Sequence, residues 1–336
     1  MAKVFANPGT PSRRICPLAS SPIRRFSTSC FCPMMTLPIS RDSISTKALS
    51  FWILSLSSLM FTLSILYCFY YFCNQNNPIK MRYRITLSYD GSSFCGWQIQ
   101  NDATTVQECL QNALSTLLKE DIAVTGAGRT DSKVNAINYV AHFEASNPDI
   151  DASAIGYKIN AILPAGIKVH SIAFCDPEFH ARFDATQREY KYFIHRRRDP
   201  FMREYSYLYT FPLDVDKMNR AAQALLGRHD FSCFEKVGSS NKTSICTVTQ
   251  ARWEAYSPDH VRIMGYPAEE GDYLVFTIRA DRFLRNMVRA VVGSLLEVGR
   301  GKRDESWIAI LTQGGSRSCA GESVPGNALF LTKVEY

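Results

Sequence analysis

From residue 81 onward the chain alternates between two hydrophobic periods. "RYRITLSYD", residues 82–90, sets polar and apolar side chains in turn and ends at Asp90-Gly91, which predicts a strand closed by a turn. The period then changes. Val106, Leu110, Ala113, Leu114, Leu117 and Leu118 share one helical face, and Thr105 and Glu108 have the spacing of a capping box. A strand at 122–125, a glycine-bent loop and a strand at 137–145 follow. Asp151 opens a helix that runs to about residue 162 and stops at Pro164-Ala165-Gly166, ahead of a strand at 167–175. The order β-α-β-β-α-β is that of a ferredoxin-like domain.

The same order returns in the second half. "REYKYFIHR" reads as a strand, and "DVDKMNRAAQALLG" as a helix with Gly227 at its C-cap. Strands near 243–255 and 273–280 come next. A helix over "RFLRNMVRAVVGSLLEVG", a short helix near 304–312 and the strand "ALFLTKVEY" complete the half. The expected fold is therefore α/β (α+β), with two ferredoxin-like βαββαβ domains and antiparallel sheets. Their boundaries are 81–185 and 186–336. The halves share pattern, not residue identity.

Residues 1–80 do not conform. They hold eight Lys/Arg against one acid, Asp42, and so carry the whole formal net charge of +7. Residues 81–336 are neutral, with 81–185 at −4 and 186–336 at +4, a weak attraction for a polyanion. No charged residue lies between Lys47 and Lys80, and the apolar run 49–73 has the length of a transmembrane segment. Three readings stand: a membrane anchor leaving the catalytic half in the cytosol, an organelle-targeting segment, or translated sequence ahead of a start at Met81. The abrupt onset of regular patterning at Met81 favours the third. Eleven cysteines without metal-ligand spacing fit the reduced thiols of a cytoplasmic protein.

The candidate chemistry lies in "VTGAGRTDSKVNA", residues 124–136. A Gly-Arg-Thr-Asp loop is ordinarily a solvated turn in which Asp bonds its own backbone. Here it joins two apolar strands, Gly126 and Gly128 permit close approach to a ligand, and Arg129 stands two residues from Asp131. A lone carboxylate beside a cation can act as nucleophile or base.

"GRTD", "HFE", "FHARFDA", "REYKY", "FLRNMVRAVVGSLLEVG" and "LFLTKVEY" occur in the order and spacing of the TruA-type tRNA pseudouridine synthases, and "YDGSSFCGWQIQ" resembles that family's opening. The resemblance covers 81–336 and none of 1–80. It implies an active-site cleft between the two domains, a homodimer, no cofactor or metal, and isomerisation of uridine to pseudouridine at positions 38, 39 and 40 of the tRNA anticodon stem-loop. It also implies roles for residues. Asp131 matches the catalytic aspartate, Arg129 an arginine that helps flip the base, Tyr190 the aromatic packed on the uracil, and Arg289 the basic partner of the aspartate. Where the family reads D-A-G-V-H, this chain reads Asp131-Ser132-Lys133-Val134-Asn135. Lys133 in place of glycine costs about 1 kcal/mol if the site needs positive φ, or it supplies a phosphate contact. Arg282, Arg285 and Arg289 recur at i, i+3 and i+7, which predicts an RNA-facing stripe on one helix. Arg182 is expected at the cleft, and His180 as a structural hydrogen-bonder.

Overall fold

The computed structural model describes residues 60–67, 80–147, 150–239 and 241–336. The chain divides into a unit ending at Asn74 and a unit spanning Gln75–Tyr336. In the first, residues 60–67 are helical and exposed. The rest of the expected 49–73 span lies outside the described residues. Among the described residues no helix is long and apolar enough to cross a membrane.

The second unit is built on one mostly antiparallel sheet of ten strands. Strand β1 (Met81–Tyr89) buries Tyr83, Ile85, Leu87 and Tyr89, as its alternation requires. Helix α1 (Val106–Leu118) starts where the Thr105 hydroxyl accepts the Glu108 amide. Strands β2 (Val124–Gly126) and β3 (Asn135–Ala145) flank the Gly-Arg-Thr-Asp loop. Helix α2 (Ala152–Ile162) is capped by Asp151 and leads to β4 (Ile167–Phe174). The order is β4-β1-β3, with β2 on the far side of β3 and every pairing antiparallel.

The second half contains β5 (Gln187–His195), β6 (Tyr207–Leu208), α3 (Val215–Ala222), β7 (Gly227–Asp230), β8 (Ile245–Ala255), α4 (Asp259–Arg262), β9 (Tyr273–Ala280), α5 (Met287–Gly299), α6 (Ser306–Leu311) and β10 (Leu329–Glu335). Its strand order is β10-β5-β9-β8-β7. The halves meet where β10 lies parallel to the first residues of β3, Phe330 against Asn135 and Leu331 against Ala136. Helix α5 is buried almost all round, as its apolar composition demands. Gly293 makes that possible, because a Cβ there would stand 1.8 Å from the Glu322 carbonyl oxygen.

Two sequence expectations are corrected. Gly227 does not cap a helix that reaches it. Helix α3 ends at Ala222, a 3₁₀ turn covers Gln223–Leu225, and Gly227 at φ +97° turns the chain into β7. The helix expected from Arg282 begins only at Met287. Asn286 at φ +66° interrupts it, the Arg285 carbonyl accepts the Lys236 amide, and the Asp281 carboxylate holds the amides of Arg282 and Thr247. Tertiary partners win these backbone groups from the helix. The Arg282–Arg285–Arg289 stripe is therefore not a helix face; only Arg289 is helical.

One buried group ties the β4–β5 connection to β3. The His142 ring accepts the Ala181 amide at Nδ1, 3.1 Å away, so that nitrogen carries no proton. Burial, then the neighbouring His180 and Arg82, lowers its pKa to about 4. Burial also lowers His195. The unfolded chain thus binds protons that the folded chain refuses. The stability these rings contribute is complete above pH 6.5 and is lost as pH falls toward 4. Carboxylates held low by arginine, such as Glu144, act only below about pH 4.5. Urea denaturation between pH 6.5 and 5 should show stability falling by about 1–2 kcal/mol. His142→Gln should remove most of that slope, and an unchanged slope would place its origin elsewhere.

Candidate active site

The loop between β2 and β3 is clamped along its length. The Ala127 amide donates to the Val140 carbonyl at 2.9 Å, and the Tyr139 hydroxyl bonds both backbone groups of Gly128. The Thr130 hydroxyl meets the Tyr89 hydroxyl at 2.8 Å, and the Thr130 carbonyl accepts the Trp97 amide. Past Asp131, the Lys133 amide donates to the Phe94 carbonyl at 3.2 Å, and the Val134 amide turns back to the Asp131 carbonyl. Trp97, Tyr89 and Tyr139 pack beneath as an aromatic cluster. Backbone and buried aromatics fix this loop, so the Asp131 carboxylate is left over for chemistry.

Arg289 Nη1 stands 3.5 Å from Asp131 Oδ2, with the two side chains 23% and 26% exposed. Arg289 Nε is held by the Val324 carbonyl at 2.7 Å. A short strand-side neighbour completes the group. Tyr190, 8% exposed, lies within electrostatic reach of Asp131 and packs edge-on against Phe283 at 4.9 Å. Burial pushes its hydroxyl well above the ordinary tyrosine value; Arg188 opposes the rise and Asp131 adds to it. At neutral pH Tyr190 is thus a neutral phenol in the free protein.

The expected residues do not all converge equally. Asp131, Arg289 and Tyr190 come together. Arg129 is exposed on the same loop. Lys133 is exposed at φ +64°, so the strain expected for a side chain replacing glycine applies. Arg182 is exposed in the β4–β5 connection. Arg285 is exposed and Arg282 half-buried in the irregular segment before α5. His180 is structural, its Nδ1 accepting the amides of Arg182 and Phe183.

Two residues to which the sequence assigned no role organise the site. Arg188 is a half-buried guanidinium bonded to four carbonyls: Ala127 at 3.0 Å, Arg182 at 2.6 Å, Ala185 at 3.1 Å and Asp281 at 2.7 Å. It fastens the base of the β2–β3 loop to the second half. Its signal was its place on β5, two residues before Tyr190 on a face that otherwise buries Tyr190 and Tyr192. Asn135 is the second. Its Oδ1 accepts the Gly91 amide and its Nδ2 donates to the Asn327 carbonyl, both at 2.7 Å. Asn327 in turn donates to the carbonyls of Arg203 and Glu204, and the Tyr205 hydroxyl reaches Asp90. The residue that departs from the usual histidine closes a ring of polar contacts around the junction of β3 and β10. Beside it, a Cβ on Gly326 would lie 2.7 Å from the Ser132 carbonyl, so the loop before β10 rests directly on the β2–β3 loop.

Among the described residues no cluster of His, Cys, Asp and Glu could hold a metal ion. The six described cysteines are free thiols.

A family model described as tRNA pseudouridine synthase matches residues 85–184 and 221–336. A protein named tRNA pseudouridine synthase A from Bacteroides fragilis is 46% identical over 256 residues, covering 76% of this chain and 96% of that protein. The protein of the same name from Bacteroides thetaiotaomicron is 47% identical over 255 residues, covering 76% and 90%. The one from Pectobacterium atrosepticum is 38% identical over 265 residues, covering 78% and 88%.

Proposed function

Because the chain belongs to the tRNA pseudouridine synthase family, we propose that Asp131 is its catalytic carboxylate and that its targets are uridines 38, 39 and 40 of the anticodon stem-loop. The enzyme isomerises uridine to pseudouridine in tRNA. That reaction breaks the N1–C1′ bond, turns the uracil, and joins C5 to C1′. C5 loses a proton and N1 gains one, so no oxidant or reductant is consumed. Hydrolytic glycosidases place a second carboxylate to activate water. An isomerase must keep water out, and one carboxylate suffices.

The observation that carries this reading is the pairing of a rigidly mounted Asp131 with Arg289 at 3.5 Å, beside Tyr190. The carboxylate attacks the uridine covalently or takes a proton from the sugar; both routes use the same group. Arg289 balances its charge, and Tyr190 with Phe283 offers an aromatic surface to a base drawn from its stack. Arg129 occupies the space the flipped base vacates. Arg182, Arg282, Arg285 and Lys133 contact phosphates from the rim. In this reading residues 81–185 form a catalytic domain, 186–336 a domain that brings Arg289 and Tyr190, and the enzyme works as a cytoplasmic homodimer. A non-catalytic RNA-binding role leaves the Asp131–Arg289 pair without a purpose.

Anticodon stem-loops carrying tritium at C5 of uridine test the assignment. Purified enzyme should release one tritium per converted uridine at positions 38–40. Release confined to other uridines would overturn the positional assignment.

A further inference from the structure

Phe183 lies on the turn of residues 180–184 and is 74% exposed. A single exposed apolar side chain needs no explanation. The mounting of this one does. The His180 amide donates to the Asp184 carboxylate at 2.7 Å, and the Asp184 amide to the His180 carbonyl at 3.1 Å. The Ala181 carbonyl accepts the Tyr336 hydroxyl at 2.7 Å, and its amide is bonded by His142. The Arg182 carbonyl is held by Arg188, and the amides of Arg182 and Phe183 both donate to His180 Nδ1. Nearly every polar group of the turn is thus committed, and the ring it carries is turned to solvent. One face of Phe183 is covered by the His180 ring, stacked at 4.2 Å with 29° between planes. The Arg182 guanidinium stands over the ring 5.8 Å from its centroid, and the ring is otherwise exposed.

The turn borders the catalytic loop. Arg188 Nη2 bonds both the Arg182 carbonyl, at 2.6 Å, and the Ala127 carbonyl, at 3.0 Å. Those two oxygens are therefore no farther apart than the two bonds allow, and Ala127 is four residues before Asp131. Arg188 Nη1 also bonds the Asp281 carbonyl, next to Arg282. Arg182 thus lies against the exposed ring, and Arg188 fastens the turn that carries it to the loop bearing Arg129 and to the Asp281 carbonyl beside Arg282. An exposed aromatic on a fixed turn beside an arginine is the chemistry that receives an unstacked nucleic-acid base, because any base has a π-face and the cation serves its phosphate.

We propose that the exposed Phe183 ring, with Arg182 beside it, is a second base-binding subsite, a stacking platform for an unpaired base of the tRNA next to the target uridine. The inference rests on the tRNA-isomerase reading. Withdrawing a uridine from its stack leaves a neighbouring base without a partner, and Phe183 backed by His180 gives it one. The backbone that carries the ring is hydrogen-bonded before binding, so stacking costs little further ordering of the chain.

The test uses full-length enzyme with Phe183→Ala, Phe183→Leu and Phe183→Trp, and anticodon stem-loops carrying 2-aminopurine beside the target. Wild-type enzyme should quench the 2-aminopurine. Phe183→Ala should lose that quenching and raise KM about 10- to 100-fold, with a smaller change in kcat. Phe183→Leu should resemble Phe183→Ala, since an apolar side chain without a ring cannot stack. Phe183→Trp should keep wild-type KM, its own fluorescence falling on binding. Unchanged KM in Phe183→Ala overturns the inference while wild-type turnover leaves the enzyme's assignment standing. So does full rescue by Leu, or conversion of a dimer to monomers by Ala, which would mean a second copy covers the ring. Absent tritium release by wild type would instead count against the parent reading.

Discussion

Asp131→Asn is expected to lower pseudouridine formation by about 10⁴-fold or more, the scale on which removal of a reacting group acts. An amide has the carboxylate's shape but neither attacks a uridine nor takes a sugar proton. The fold should be indifferent. The loop is held by the Ala127, Lys133 and Val134 amides, the Thr130 carbonyl and the Thr130–Tyr89 hydroxyl contact. The Asp131 side chain contributes to none of these. Its contact with Arg289, at 3.5 Å between partly exposed groups, is a weak source of stability. Unfolding temperature should therefore stay within about 2 °C of wild type, and stem-loop affinity within a few-fold. Tritium release and thermal denaturation on the same preparation decide the matter. Turnover within 100-fold of wild type would remove Asp131 from the chemistry.

The sequence made the frame of the fold readable because burial alternates with fixed periods. Tyr83, Ile85, Leu87 and Tyr89 point inward every second residue, and Val106, Leu110, Ala113 and Leu114 line one helix face. Asp151 and Thr105 cap the helices they precede. What was not readable depends on partners distant in sequence. "RFLRN" has helical periodicity, yet Lys236, Thr247 and Ser323 claim its hydrogen-bonding groups or those of the adjoining Asp281. "GRHD" is four residues with no apolar alternation and becomes β7 only because β8 offers an edge. The join of β3 to β10 pairs residues nearly 200 apart, beyond any local pattern.

The site divides along the same line. Asp131 and Arg129 are two residues apart in the chain and stand out by type. Arg289 and Tyr190 entered through resemblance, and their meeting with Asp131 is visible only in the folded chain. Arg188 and Asn135 lie within quoted motifs, yet nothing in those motifs assigned them a role. A strand arginine and an asparagine at the start of a strand are ordinary until the structure shows which carbonyls and amides they satisfy, and those are the groups on which the β2–β3 loop depends.

Arg289→Lys is expected to lose about 10²-fold in kcat, nearly as much as Arg289→Ala, although it keeps the charge. The guanidinium does two things from two nitrogens. Nε donates to the Val324 carbonyl at 2.7 Å, and Nη1 faces Asp131 Oδ2 at 3.5 Å. The first bond fixes the direction of the second. The fork is planar, so once Nε is seated the outer nitrogen has little freedom but to point at the carboxylate. A lysine gathers its donors on one atom and cannot hold the carbonyl while reaching the carboxylate. If it takes Val324, Asp131 loses its partner; if it takes Asp131, nothing fixes its flexible stem, and the carboxylate is oriented less well for the reacting carbon. The helix should survive either change, since the Val324 amide still donates to the Arg289 carbonyl and α5 is packed by its apolar side chains. Single-turnover rates at saturating stem-loop separate this loss from weaker binding. A lysine variant with near wild-type kcat would mean that position 289 supplies charge alone and that the Val324 carbonyl plays no part in aiming it.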